Sequence, residues 1–171
     1  AKFQTWKVSR LKNGDWDSDG RRNIYENAEL SLDQHNYLID TCKKEKIEFM
    51  SSAFSVEDAK LLASLNCKKI KIPSFEVNNF ELLDFCKQNF SIIYVSTGTA
   101  NKEEILELSK FFEKWIGKLV VMHCVSAYPC NPENINLPRI TKLKKINKRI
   151  GYSGHLIGVN DAIAALNYNP E

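Results

Sequence analysis

Six short apolar segments recur along the chain, and each ends in a serine, threonine, glutamine or histidine. They are Ala1–Thr5, Ile47–Ser52, Lys69–Ser74, Ser91–Thr97, Lys118–His123 and Arg149–Ser153. Their β-branched and aromatic centres are typical of strands in a buried parallel sheet, and amphipathic helical stretches separate them. From the second segment onward, successive strands begin 22 to 31 residues apart. This period predicts repeated strand-helix units, as in a β/α barrel or a doubly wound sheet.

The beginnings of three helices are signalled by a capping residue with a hydrogen-bonding partner three positions later. These pairs are Ser31 with Gln34, Asn101 with Glu104 and, more weakly, Ser55 with Asp58.

The other helix boundaries follow from proline, glycine and asparagine. Residues Ala100–Ile116 carry the clearest apolar stripe and are predicted to be one helix. Gly117 is predicted to end this helix by adopting a left-handed backbone conformation. Pro138 predicts the first turn of another helix, and Asn160 the start of the last one. The long interval Asn13–Asn27 is predicted to be a loop.

Composition limits the function classes. A chain of 171 residues with 43% hydrophobic residues is long enough for one globular domain, and its net charge of +3 is too small to indicate nucleic-acid binding. The basic stretch Lys142–Arg149 is interleaved with leucine and isoleucine, so we expect the solvated face of a helix. No apolar run reaches the roughly 18 residues of a membrane span, and we expect no secretory leader.

The cysteine pattern indicates neither a disulfide framework nor a zinc site. There are five cysteines, an odd number, and no two form a Cys-x-x-Cys pair: Cys42, Cys67, Cys86, Cys124 and Cys130. We therefore expect a reducing, cytoplasmic compartment. Cys124 follows His123 on a predicted strand, so it is either a nucleophile or, in the favoured interpretation, a small packed residue.

Candidate chemistry lies where the predicted strands end. Met122–Pro129 and Gly151–His155 place hydroxyls and imidazoles after apolar runs, at the position where α/β proteins carry their active sites. Lys2 and Lys71 lie inside otherwise apolar strands. Because a buried lysine is costly without a partner, these two indicate an anion site or, as the alternative, a core ion pair.

Six motifs in order along nearly the whole chain resemble the signature of the sialic acid synthase (N-acetylneuraminate synthase) family. They are Lys2-Phe3-Gln4-Thr5, Lys71–Glu76 with Asn78-Asn79, Ser96-Thr97-Gly98, His123–Pro129, Asn136-Leu137 and Gly151–His155. Enzymes of that family are transferases that condense phosphoenolpyruvate with an N-acylated hexosamine to a nine-carbon 2-keto sugar acid and release phosphate.

The resemblance implies a (β/α)₈ TIM barrel, of which residues 1–171 form a single partial catalytic domain with about strands two to seven. It also implies that three parts lie outside this sequence: the first strand, the last strand with a second metal-binding histidine, and a C-terminal antifreeze-like domain. The full-length protein is expected to be a homodimer.

The resemblance also assigns the substrate-binding residues. Two lysines and five serines would form the phosphoenolpyruvate site: Lys2, Ser52, Lys71, Ser74, Ser96, Ser126 and Ser153. Ser52 stands where the family often has threonine. Each serine alone is a weak signal, because strand ends are rich in serine. Tyr128 would contact the sugar. Glu76 is a candidate for proton transfer, with a plain loop carboxylate as the alternative.

His155 is matched to a residue that binds a divalent ion, usually Mn²⁺ or Mg²⁺, in the family. That ion would act as a Lewis acid on the aldehyde of the open-chain sugar. Gly154 stands where many bacterial members have aspartate, although other members also have glycine.

Two other functions remain open at this point. A Schiff-base aldolase would also place a lysine such as Lys71 inside a barrel strand, and a non-catalytic binding module could retain barrel motifs. Among the sugars, N-acetylmannosamine, its 6-phosphate and the diacetamido-trideoxy hexoses all remain possible.

Overall fold

A computed structural model describes residues 1–171 and contains one six-stranded sheet. The strands are β1 (Lys2–Thr5), β2 (Met50–Ala53), β3 (Lys69–Ile72), β4 (Ile92–Ser96), β5 (Lys118–Cys124) and β6 (Ile150–Ser153). They lie in the order β1-β2-β3-β4-β5-β6, and every neighbouring pair is parallel. All six predicted strands and their parallel direction are confirmed.

The order and curvature of the sheet distinguish a barrel from a doubly wound sheet. A doubly wound sheet reverses its strand order at a switch point, and no reversal occurs here. In a flat sheet, β3 and β6 would be about 14 Å apart, since strands are spaced about 4.8 Å apart. The Lys71 Nζ atom nevertheless lies 3.3 Å from the Ser153 Oγ atom. The sheet is therefore rolled into an arc, as in part of a barrel.

Seven α-helices accompany the strands. They are α1 (Arg21–Asn27), α2 (Leu32–Lys44), α3 (Val56–Ser64), α4 (Phe80–Asn89), α5 (Lys102–Phe111), α6 (Arg139–Leu143) and α7 (Asn160–Ala165). The predicted caps Ser31, Ser55 and Asn101 each accept a backbone N–H bond at the start of a helix. None of the helices combines the length and apolar character needed to cross a bilayer.

The predicted helix Ala100–Ile116 is wrong at its C-terminal end, because α5 ends at Phe111. The Phe112 ring is buried and contacts the Trp115 ring edge-on, with 5.3 Å between centroids. Gly117 does not adopt a left-handed backbone. It is needed for space instead, because a Cβ atom there would overlap the Trp115 ring.

Two other local predictions are corrected. The segment Asn13–Asn27 is not a continuous loop, because it contains a 3-10 turn at Asp15–Asp17 and helix α1. The rings of Trp16 and Tyr25 are in contact, with 5.4 Å between their centroids, and this contact packs the 3-10 turn against α1. In the basic stretch Lys142–Arg149 the lysines are exposed as expected, but most of the stretch follows the end of α6 in turns.

The hydrophobic core lies between the outer face of the sheet and the helices. Alternate strand residues such as Ile70, Ile93 and Val121 are fully buried there and pack with Leu62 and Leu108 of the helices. Their neighbours along each strand face the other side of the sheet, since side chains alternate along a strand. The apolar core therefore leaves the inner face free for polar side chains.

A buried chain of hydrogen bonds joins β1, β2 and α2. The His35 Nδ1 atom donates to the Ser31 carbonyl oxygen at 2.8 Å, so the His35 Nε2 atom accepts from the Thr5 hydroxyl at 2.9 Å. Thr5 in turn accepts from the Ser51 hydroxyl at 2.7 Å. This chain fixes the carboxyl ends of the first two strands.

Thr5→Val should destabilise the protein by about 1 to 3 kcal/mol, because it leaves the buried groups of His35 and Ser51 without a partner at nearly unchanged volume. Urea unfolding measures the effect. Thr141→Val is the matched control, since Thr141 is exposed on α6 and its hydroxyl makes no hydrogen bond. Equal stability of the two variants would contradict a structural role for the chain of hydrogen bonds.

Candidate active site

Polar side chains collect on the inner face of the sheet toward the carboxyl ends of the strands. Strand register places Ser52 beside Lys71, and Lys71 beside Tyr94. It also places Cys124 beside Ser153. Residues paired in register in parallel strands share a face, so these side chains lie inside the arc. This is the end of the barrel where active sites are built.

Lys71 is a half-buried cation with no carboxylate partner. Its ammonium group donates to the Ser153 hydroxyl at 3.3 Å, and none of the ion pairs in the structure involves it. Burial and the nearby positive charge of Lys2 lower the pKa of Lys71 to about 8. The alternative of a core ion pair is therefore wrong for Lys71, and an anion would compensate its charge.

Lys2 lies on the inner face of β1, in register with Met50 of β2. Its side chain is exposed among residues 1–171, and partial burial by its neighbours lowers its pKa. Its positive charge acts on Lys71. Lys2 therefore adds positive potential to the site.

Ser74 and Ser126 converge on Gly98. The Gly98 N–H group donates to the Ser74 hydroxyl oxygen at 3.0 Å. A Cβ atom on Gly98 would lie 3.0 Å from that oxygen and would overlap the Ser126 hydroxyl. Glycine is therefore required where the loops after β3, β4 and β5 meet. The sequence motif contains Gly98, but its spatial role could not be seen there.

Ser96 carries an unsatisfied hydroxyl. The residue is 1% exposed, and its Oγ atom has no hydrogen-bond partner. Register pairs Ser96 with Met122, and Ser96 lies two positions from Tyr94 on the same face of β4. A buried hydroxyl without a partner is costly, so Ser96 Oγ is an unsatisfied polar atom at the end of β4. Ser52 is also buried on this face.

His155 follows β6 and presents one free ring nitrogen. Its Nδ1 atom lies 2.9 Å from the carbonyl oxygen of Val125, so Nδ1 carries the proton and donates it. The Nε2 atom therefore has a free lone pair and no hydrogen bond to the protein. A backbone carbonyl that fixes the tautomer in this way is typical of metal-binding histidines.

Tyr128 packs against His155 at the mouth of the site. The two ring centroids are 4.2 Å apart, and Tyr128 is 75% exposed. The structure thus places the predicted sugar-contact residue beside the predicted metal ligand. His155 is the one imidazole at this location, and residues 1–171 contain no group of three or more potential metal ligands.

His123 and Cys124 do not form a catalytic pair. His123 is fully buried on the outer face of β5, and its Nε2 atom donates to the Ile135 carbonyl at 2.8 Å. Burial lowers its pKa. The Cys124 sulfur lies 3.8 Å from His155 Nδ1, which carries a proton and cannot accept one. The geometry gives the thiol no general base, and Cys124 is 2% exposed.

Glu76 is a buried carboxylate held by two polar partners. It is 2% exposed, forms an ion pair with Lys12 at 3.3 Å and accepts from the Asn79 amide at 2.7 Å. Its carboxylate lines a cavity at the carboxyl ends of β1, β2 and β3. The role of Glu76 in proton transfer stays a prediction.

Two supporting contacts could not be found from the sequence. Arg139 donates to the carbonyl oxygens of Thr97 and Ala100, at 3.2 and 3.1 Å, and so holds the loop after β4. Asp161 accepts from the Tyr152 hydroxyl at 2.7 Å. No motif marks either residue, because both act through contacts distant in sequence.

The position of the Asp161 side chain also explains why residue 154 is a glycine. A Cβ atom at position 154 would overlap the Asp161 carboxylate and lie 2.8 Å from the Tyr152 ring. The space that a side chain at this position would use is therefore filled by Asp161 and Tyr152.

Known proteins with similar sequences and structures indicate the family of this chain. The model of the NeuB family matches residues 1–169. The chain belongs to the NeuB family. Pseudaminic acid synthase of Campylobacter jejuni is 33% identical over 150 residues, which is 86% of this chain and 44% of that protein. N-acetylneuraminate-9-phosphate synthase of Drosophila melanogaster is 34% identical over 145 residues, with 82% and 39% of the two chains covered.

A solved structure extends the comparison to three dimensions. The N-acetylneuraminic acid synthetase of Leptospira borgpetersenii, in complex with citrate, superposes with a TM-score of 0.90 at 28% identity. The match covers 99% of this chain and 59% of the other. The NeuB-family chain described here thus spans about half the length of the proteins it matches.

The lowered pKa of Lys71 predicts a pH dependence of anion binding. Below pH 8 the ammonium is charged and binds an anion. Above pH 8 it loses its proton, so the affinity of the intact protein for an anionic probe, here phosphoenolpyruvate, should fall by up to tenfold per pH unit. Calorimetric titration from pH 7 to 9.5 measures the change. Lys71→Arg is the control, because a guanidinium stays charged over this range.

A phosphoenolpyruvate affinity that falls equally in wild type and Lys71→Arg would show that another group titrates. Constant wild-type affinity across this range would also contradict the assignment of Lys71 to the anion site.

Gly154→Ala should destabilise the protein measurably, because the new methyl group must displace Asp161 or Tyr152. Thermal unfolding of the variant checks this. The double variant Gly154→Ala with Asp161→Ala should recover part of the loss, since the overlapping carboxylate is removed. If the stability losses of the two single variants simply add in the double variant, the steric explanation is wrong.

Proposed function

We propose that this chain forms most of the catalytic barrel of an enzyme that condenses phosphoenolpyruvate with an N-acylated hexosamine. The product would be a nine-carbon 2-keto sugar acid, with release of phosphate. The observation that carries the proposal is the uncompensated charge of Lys71 among inward-facing hydroxyls, including the unpaired Ser96. In the full protein, this chain would supply strands two to seven of eight, next to an antifreeze-like domain.

Phosphoenolpyruvate carries a phosphate and a carboxylate, so its site needs cations and hydroxyl or N–H donors. Lys71 and Lys2 supply positive charge. The hydroxyl groups would come from Ser52, Ser74, Ser96, Ser126 and Ser153, and their positions at the carboxyl ends of strands β2 to β6 or in the loops that follow support this assignment. Lys71 orients the phosphate toward Ser153, its hydrogen-bond partner.

The methylene carbon of phosphoenolpyruvate would attack the aldehyde carbon of the open-chain sugar. Water would then add to the resulting cation, and phosphate would leave. His155 and Tyr128 lie together at the mouth, where the aldehyde must approach. His155 Nε2 would provide one ligand of a Mn²⁺ or Mg²⁺ ion, which when bound polarises the aldehyde. Glu76 is the candidate for proton transfer on the sugar side.

Other parts of the proposal concern the whole protein. We expect a homodimer and no nucleic-acid partner. All five cysteines are free thiols, which is compatible with the reducing cytoplasm expected for a sugar-biosynthetic enzyme.

Two variants of the intact protein test the proposal by separating binding from chemistry. Lys71→Met should lose phosphoenolpyruvate binding at least tenfold, because removal of a charge-assisted partner costs about 1.5 to 3 kcal/mol. His155→Asn should keep that affinity but lose condensation. Calorimetry with phosphoenolpyruvate and assay of phosphate release with a hexosamine provide the two measurements. Unchanged phosphoenolpyruvate affinity in Lys71→Met would refute the anion site.

A Schiff-base aldolase is the second candidate, and one observation favours it. A lysine with a pKa of about 8 is a better amine nucleophile than an ordinary lysine. Borohydride treatment in the presence of pyruvate distinguishes the two functions. A covalent adduct on Lys71 would support the aldolase, and no adduct is expected for the synthase. Phosphoenolpyruvate binding with neither turnover nor adduct would instead indicate a non-catalytic module.

A further inference from the structure

The loop after β4, residues 97–100, is tied to Ser74 just beyond the end of β3. The Gly98 N–H group donates to the Ser74 hydroxyl oxygen at 3.0 Å. The Thr99 hydroxyl donates to the Ser74 carbonyl oxygen at 2.8 Å. Ser74 is one of the residues assigned to the anion site, so the position of this loop determines how its side chain is held.

The Ser74 hydroxyl keeps its own proton free. Its oxygen accepts from Gly98, and the structure shows no second hydrogen bond of this hydroxyl. A serine hydroxyl has one donor as well as its acceptor lone pairs, so the proton remains available to an anion. Ser74 is only 7% exposed, so few water molecules can compete for that proton.

Arg139, the first residue of α6, holds the loop with both outer nitrogens of its guanidinium group. Its Nη1 atom donates to the Thr97 carbonyl oxygen at 3.2 Å, and its Nη2 atom donates to the Ala100 carbonyl oxygen at 3.1 Å. These two carbonyls lie on either side of Gly98 along the chain. The planar guanidinium therefore fixes the segment at both ends, which the point charge of a lysine ammonium does not do.

Arg139 also has no carboxylate partner. It is half-buried, and none of the ion pairs in the structure includes it. Burial lowers its pKa, and the nearby Cys124 thiol opposes this shift. Cys124 pairs in register with Ser153 on the inner face of the sheet. The uncancelled charge of Arg139 therefore lies near the anion site.

We propose that Arg139 is a positioning residue for the anion site. Through the loop 97–100 it fixes the Gly98 N–H group, and so presents the Ser74 hydroxyl to the phosphate of phosphoenolpyruvate. This inference rests on the proposed function, because it takes Ser74 as a phosphate ligand. The guanidinium is directed at the loop carbonyls, so its effect on binding passes through Ser74.

Calorimetric titration of the intact protein with phosphoenolpyruvate tests the inference. Arg139→Lys keeps the positive charge but loses the two-pronged contact, so affinity should fall at least fivefold. Arg149→Lys is the matched control, because Arg149 is also a half-buried arginine but precedes β6, at the opposite end of the strands. Wild-type affinity in Arg139→Lys, with fold retained by circular dichroism, would overturn the inference and leave the proposed function intact.

Steady-state kinetics separate positioning from a general loss of structure. In the assay of phosphate release, Arg139→Lys should raise KM for phosphoenolpyruvate at least fivefold and change kcat less than twofold. A fall in kcat with unchanged KM would contradict a role in phosphate binding.

A double-mutant cycle tests whether Arg139 acts through Ser74. Once Ser74→Ala has removed the hydroxyl, Arg139→Lys should lower phosphoenolpyruvate affinity less than twofold further. Ser153→Ala is the comparison, because Ser153 bonds to Lys71 and not to the loop. In that background the fivefold loss should remain. Equal losses in both backgrounds would refute the route through Ser74.

Hydrogen exchange tests the loop contact without any ligand. The Gly98 amide should exchange at least tenfold faster in Arg139→Lys than in wild type, and at the wild-type rate in Arg149→Lys. Unchanged exchange in Arg139→Lys would refute the positioning of the loop. Absence of phosphoenolpyruvate binding by the wild type would refute the proposed function instead, while faster exchange would still support the loop contact.

Discussion

The site is organised around the positive charge of Lys71 inside the curved sheet. The pKa of Lys71 is lowered because burial disfavours its charged form and because the positive charge of Lys2 repels its ammonium group. The curvature of the sheet brings Ser153 across two intervening strands to receive a hydrogen bond from it. Neutral hydroxyls solvate the ammonium only in part. Much of its charge therefore stays available for an anion.

The alternation of side chains along each strand separates stability from function. Outward residues such as Ile70 and Val121 supply the buried core against the helices, so the inner face is not needed for apolar packing. Polar groups that would be costly in the core can therefore lie inside the arc. The His35 hydrogen-bond chain and the Arg139 contacts then fix the strand ends and loops that carry the site.

The sequence by itself determined the six strands, their parallel direction, the three capped helix starts and most of the residues around Lys71 and His155. These features depend on local apolar patterns, caps and motifs that resemble a known family. The resemblance also implied the barrel, which the rolled sheet confirms. Only the tertiary structure decided that α5 stops before Phe112. It alone showed that His123 faces the helices and that Glu76 pairs with Lys12. Each of these depends on contacts between residues distant in sequence, which no local pattern encodes.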